Sequence, residues 1–476
     1  MVAGVAASWL VSCSSGPQGA PAAASVARWR FAGAAQLQAQ TAAPALAALL
    51  NGTNSTPTAD RLATNLVRVL WQRLGRPDAA GASAALAPLV RDVLRYESAG
   101  EVTATGWRLT VKLPAERWPT WQQAKDSLAA LSATPAGSIL AYTNGWLTAG
   151  AGAVGGTGWL SLTNGAVLAA EGDLARIFDG SPAQWPRTRV GATLEAGRVL
   201  TRAALDFSTP PFGAVPDWKL PERMAHGPFS QFVAMRGIAE FGARLPWWRD
   251  AFGGQPPDQL FAWSQPEVPF RNWVAVPTKD PLGDVDRWFD LAGKVFGAGA
   301  GRAGRPVMPT NRTAFAVLDT LKGLEPVVTQ VKQGDQAFLL ASLFPADRTT
   351  NSISASLRQR LAEKDLVFQD AEFTPEAIDH WNVLFQVNQI LLSRMPNARN
   401  ARAHSWMIDN RTVLGDSETV IHRTTPTHFV LERKSSAGLT GMELVLLTRW
   451  LDGTDNQLRR VGLPPLPTDS PRPPKP

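Results

Sequence analysis

Two short strings constrain this chain more than any other feature: WRLTVKLP at 107–114 and RNWVAVPT at 271–278. In the first, Trp107, Leu109, Val111 and Leu113 alternate with Arg108, Thr110 and Lys112. A period of two is that of a strand with one face buried and one face wet. Proline closes each run, and a helix-length segment carrying tryptophan follows, with Trp118 and Trp121 in one case and Trp288 in the other. The same order of elements surrounds both strings. The first set has a strand at 28–33, helices at 36–50, 58–74 and 84–94, strands at 97–104 and 107–113, a helix at 118–130 and a strand at 138–148. The second has a strand at 232–236, a helix at 238–252, strands at 259–265 and 271–276 and a helix at 281–296. A third version is expected from a strand at 314–318, through a helix at 321–331, to a strand at 336–343 closed by Pro345. Strand, helix, two strands, helix is the order of the split βαβ motifs. The chain is therefore expected to be α+β, with mostly antiparallel sheets, helices packed on one face, and two or three related strand-helix-strand-strand-helix modules. Trp273, Val274 and Val276 are expected to pack against helices, as the alternating set of 107–113 does.

With 476 residues, 45% of them hydrophobic and 18% charged, the chain can bury a sizeable core, and its length suggests roughly two to four domains. The element order places a first α+β domain at 26–215, a second module at 216–310 and a third at 311–462, the third either separate from the second or continuous with it. The last stretch, 463–476, is half proline and is expected to be a disordered, extended tail. The net charge of +7 comes from 47 basic and 40 acidic residues. Its small clusters, Arg358 with Arg360, Arg433 with Lys434 and Arg459 with Arg460, are scattered and read as solvated faces. Nucleic-acid binding needs a concentrated basic footprint, so no nucleic-acid partner is expected.

Cys13 is the single cysteine, and it closes Leu10-Val11-Ser12-Cys13 after an apolar run at 2–11. A charge-free stretch of Ser, Gly, Pro and Ala at 14–25 follows, the composition of a flexible tether. This pattern resembles the lipobox of bacterial lipoproteins. The resemblance implies that 1–25 is signal peptide, lipobox and tether, and that Cys13 is lipidated and becomes the mature amino terminus. It further implies that the body is lipid-anchored in the bacterial cell envelope, periplasm-facing or surface-exposed, with the membrane as its partner through the lipid. Two or more acyl chains hold a protein stably where one holds it marginally. Beyond residue 11 no apolar run reaches the roughly 18 residues that span a bilayer, so attachment would depend on lipid. The rest of the chain faintly resembles large uncharacterised envelope proteins of high-GC bacteria, a resemblance that implies no active-site residue.

Candidates for chemistry are few. Gly150, Gly152 and Gly155 fit GxGxxG after a strand, but strand-like sequence continues where a dinucleotide site needs a helix to begin. His226, His380, His404, His422 and His428 lack the spacing of a zinc-binding helix; His422 and His428 flank a hairpin turn and are two ligands at most. Asp370, Glu372, Glu376 and Asp379 gather around a helix start, and Asp409, Asp416 and Glu418 precede the hairpin. Such acids usually serve a helix dipole, and paired carboxylates can also cleave glycosides. The 18 tryptophans are expected in the core, with Trp247, Trp248, Trp118 and Trp121 as candidates for an exposed surface. Thr374-Pro375-Glu376 starts one helix and the Thr440/Glu443 pair caps the last. No catalytic residue, cofactor or metal is expected. The expected role is non-enzymatic binding or scaffolding in the envelope, with an envelope protein or polymer as partner; the alternative is an envelope hydrolase using paired carboxylates.

Overall fold

The computed structural model describes residues 25–73, 79–103, 106–129, 131, 139–152, 160–162, 165–174, 185–222, 224–266, 271–297, 314–316, 327–342, 353–391 and 402–452. The segment expected to be a lipobox, with Cys13, and the proline-rich tail lie outside the described residues.

The first half runs β1 (Ser25–Phe31), helices α1 (Ala34–Gln38), α2 (Pro44–Asn51), α3 (Ser55–Arg73) and α4 (Ala79–Arg95), strands β2 (Ser98–Thr103) and β3 (Gly106–Lys112), helices α5 (Trp118–Gln123) and α6 (Lys125–Ala129), then β4 (Ile139–Thr143), β5 (Trp146–Gly152), β6 (Ala166–Asp173), β7 (Arg187–Glu195) and β8 (Arg198–Asp206). The second half runs β9 (Gln231–Arg236), α7 (Ala239–Ala243), α8 (Pro246–Ala251), β10 (Gln259–Ser264), β11 (Asn272–Thr278), α9 (Pro281–Gly297), β12 (Ala314–Ala316), β13 (Val327–Gln333), β14 (Gln336–Ser342) and α10 (Ala355–Leu361). It continues with β15 (Leu366–Phe373), α11 (Thr374–Leu391), α12 (Arg402–Asn410), β16 (Asp416–Arg423), β17 (His428–Ser435) and α13 (Gly441–Asp452). The protein is α+β.

Among the described residues, all seventeen strands belong to one antiparallel sheet. Its centre is the pairing of β8 with β17, eight residues long from Val199 opposite Ser435 to Asp206 opposite His428. Outward on one side come β7, β6, β1, β2, β3, β5 and β4; outward on the other come β16, β15, β9, β10, β11, β14, β13 and β12. The connections follow the same order on both sides, with β1 matching β9, β3 matching β11, and the β4–β5 hairpin matching β13–β14. WRLTVKLP and RNWVAVPT therefore occupy the same place in each half.

Alternation decides which side chains meet which layer. Trp107, Leu109 and Val111, all at most 5% exposed, join Trp29, Phe31 and Leu168 in a core covered by Leu37, Val67, Leu70, Leu86 and Leu89 of α1, α3 and α4. The opposite face of this half carries ion pairs, among them Arg28–Glu171, Arg30–Glu97 and Arg202–Glu432. In the second half the helix face is covered by α8 and α9, where Val276 packs with Val285, and by α11 to α13. The helix layers of the two halves interlock across the seam. Arg61 pairs with Asp452, Asn65 donates to the carbonyls of Trp450 and Leu451, and Trp406 donates its indole N–H to the Leu49 carbonyl.

Several expectations need correction. Helices do not keep to one face in the second half, because Leu361 of α10 packs with Phe232, Phe261, Trp263 and Trp273 on the face opposite α9 and α11. Trp273 is buried in that core; Val274, on the other side of the strand, is 38% exposed. Pro277 lies within β11, opposite Phe338, and does not end it. Residues 327–331, expected in a helix, are strand β13, paired along its length with β14; the rest of the expected helix lies outside the described residues. The strand expected at 138–148 is a hairpin turned by Asn144 and Gly145, both at positive φ. Arg433, expected on a solvated face, is 6% exposed.

Candidate functional site

An apolar cavity of about 240 Å³ lies where the helix layer meets the sheet near the central seam. Trp29 and Phe31 of β1, Leu168 and Ala170 of β6, and Ala192 of β7 form its floor. Leu37, Leu46, Leu50 and Val93 from α1, α2 and α4 wall one side, and Leu439 with Leu447 of α13 closes the other. Among the lining side chains only those of Ser98, Thr201 and Trp29 carry a polar atom, and no lining residue carries a charge. The Ser98 hydroxyl already donates to the Val93 carbonyl at 3.0 Å. Apolar cavities of this kind stay dry and take apolar guests.

Beside the seam, under the start of α13, sits a buried polar cluster. Glu372 is 5% exposed; its Oε1 accepts from the Gly441 amide at 2.6 Å and from the Thr374 hydroxyl at 2.9 Å, and its Oε2 has no partner. Asp370, on the same face of β15, accepts from the Gln231 amide at 3.2 Å. Burial raises the Asp370 carboxyl to about 6, against the pull of Gln231 and Arg433. Burial and then the neighbouring Asp370 charge raise Glu372 to about 7. Arg433 grips both oxygens of Glu443 at 2.7 and 3.0 Å and donates to the Thr419 hydroxyl. Nearby, His380 is 5% exposed with Nδ1 3.2 Å from the Ser230 hydroxyl, which lies 2.8 Å from that of Ser264; burial lowers this histidine. These groups hold helices to the sheet.

On the opposite face a polar groove of about 710 Å³ runs between α10 and strands β15 and β16. Of the expected acids, Glu372, Asp416 and Glu418 line it. The others disperse: Asp379 pairs with Arg411 at 2.7 Å, and Asp409 accepts from Asn54. His422 sits beside the groove with Nδ1 3.3 Å from Asp365 and Nε2 3.7 Å from Glu363. The donor atoms of these three lie within 4.8 Å of one another, but each ring nitrogen faces its own carboxylate and Arg360 already holds Glu363 at 3.0 Å. His428 is bound instead to Asp206 at 2.5 Å, so the two hairpin histidines have separate partners.

Gly150 and Gly152 lie inside β5, where a side chain at 150 would come within 2.8 Å of the Trp107 carbonyl; Gly155 lies outside the described residues. Close strand pairing accounts for Gly150. Trp121 is fully buried with its indole donating to Asp92, and Trp118 stacks on Tyr142 at 5.7 Å. Trp248 packs edge-on against Phe252 and Trp288, and the side chain of Trp247 lies outside the described residues. Among the described residues, none of the large exposed hydrophobic side chains is a tryptophan.

Comparison of the chain with protein-family models, with curated proteins and with solved structures finds no match. No helix among the described residues is long and apolar enough to cross a membrane.

Proposed function

We propose that this protein is a non-enzymatic binding protein of the bacterial cell envelope, lipid-anchored through Cys13, and that its body holds a hydrocarbon chain in the cavity floored by Trp29, Phe31 and Leu168. The observation that carries the reading is the lining: a space of about 240 Å³ with no charge and almost no free polar atom. A ligand with a long apolar tail gains from leaving water there, and a polar one loses its hydrogen bonds. Hydrolysis by paired carboxylates has less support, since Asp370 and Glu372 are buried beneath α13 and bound to structural partners. The two flanks of the seam are read as two versions of one module, supported by their shared order of connections. On that reading 216–310 and 311–462 form a single unit.

The test of the cavity is a displacement titration with a fluorescent long-chain fatty acid. Saturable binding is expected, and Ala170→Phe, which places a ring in the floor, should weaken it at least about tenfold, with a thermal melt of the variant separating lost binding from lost folding. Absence of saturable binding would refute the ligand class. The anchor is tested separately: Cys13→Ala in the native host should move the protein from membranes to the soluble fraction, and continued sedimentation with membranes in high salt would refute it.

A further inference from the structure

We infer that the polar groove between α10 and strands β15 and β16 is a second binding site, and that its ligand is an uncharged carbohydrate. It lies on the face of the sheet opposite the apolar cavity, so it stands or falls independently of that site. Its volume of about 710 Å³ is in the usual range of ligand clefts, roughly 300–1,000 Å³. Gln369 in its floor is 1% exposed; its Nε2 donates to Glu418 at 3.3 Å and its Oε1 has no partner in the protein. A buried amide oxygen without a partner is destabilising unless something bonds it, and Gln369 is a lining residue of the groove.

The arginines here are spent on carboxylates. Arg360 holds Glu363 at 3.0 Å and Glu418 at 3.4 Å, and Arg198 lies 3.8 Å from Asp416. Both arginines of the lining are engaged by carboxylates, so no free cation is left to hold a phosphate. What the groove offers is an array of amide, carboxylate and guanidinium groups, donors and acceptors side by side. Sugar hydroxyls both donate and accept, and neighbouring pairs fit such planar groups. Phe373, two positions along the same face of β15 from Ala371, is 40% exposed at the groove and provides an aromatic ring for the apolar face of a pyranose.

The experiment is calorimetric titration of the full chain with tetramers of β-1,4-glucose, α-1,4-glucose and β-1,4-N-acetylglucosamine, with an uncharged tetrapeptide as comparison. Saturable binding of at least one tetrasaccharide is expected. Phe373→Ala and Glu418→Gln should each weaken it about tenfold while the chain melts as before, and Ala170→Phe on the other face should leave it unchanged. Phe373 is exposed, so its truncation tests contact and not folding. No saturable binding to any of the three sugars, binding that survives both variants, or tighter binding of the tetrapeptide would overturn the assignment.

Discussion

At the scale of single residues, the most consequential choice is to bury two carboxyl groups, Asp370 and Glu372, on one face of β15. Their ordinary values are 3.8 and 4.5, and the fold raises them to about 6 and about 7, burial being the first cause in both. The folded state therefore holds these protons more tightly than the unfolded chain does. Their contribution to stability is greatest below about pH 4 and is lost as pH rises through 6 and 7. Glu372→Gln keeps the Oε1 acceptor for Gly441 and Thr374 and removes the charge. It should raise stability at pH 8 by up to roughly 3 kcal/mol and flatten the decline between pH 5 and pH 8. Urea denaturation across that range measures both effects; an unchanged slope in the variant would mean that Glu372 does not titrate there.

At the scale of elements, α13 shows what sequence reveals and what it hides. Its capping box is local and was legible: the Glu443 amide donates to the Thr440 hydroxyl at 3.2 Å, and the Thr440 amide donates to Glu443 at 3.0 Å. Thr440→Ala should lower stability by about 1 kcal/mol in thermal or urea melts. Gly441 was silent in the sequence, because its neighbours belong to α11, more than sixty positions earlier. A side chain there would stand 2.9 Å from the Ala377 Cβ and 3.1 Å from the Ile378 amide. Gly441→Ala should therefore push α13 off α11 and cost about 1–3 kcal/mol; on the proposed function it should also weaken binding of a hydrocarbon chain, since Leu447 of α13 lines the apolar cavity. A variant as stable as the native chain would show that the two helices are free to separate. Alternation placed β3 and β11 correctly because period two is a local signal. The Asn144-Gly145 pair is an equally local hairpin signal, outweighed in the expectation of a single strand at 138–148 by the apolar residues on both sides of it. In β13, Val327, Val328 and Val331 also fit one side of a helix, and only pairing with the distant β14 decides for strand. The cavity drew its walls from separate strands and helices, so no stretch of sequence announced it.

At the scale of the whole molecule, the seam determines how the protein unfolds. The repeated order of connections suggests two units, and two weakly joined units would melt separately. Here, however, β8 and β17 pair over eight residues, and parting them would expose two long strand edges in the middle of the sheet. Above the seam the helix layers are joined by Arg61 with Asp452, by Asn65 with the end of α13, and by Trp406 with the end of α2. The apolar cavity adds to this, taking walls from α1, α2 and α4 on one side and α13 on the other. Neither half can open without unroofing the other. Differential scanning calorimetry should therefore give one transition with matching calorimetric and van't Hoff enthalpies. Removing seam contacts with Asn65→Ala and Arg61→Ala together should lower that single transition by several degrees before it divides. Two resolved transitions in the native chain would mean that the halves fold and unfold independently, and that the continuous sheet is a junction of two domains and not one structural unit.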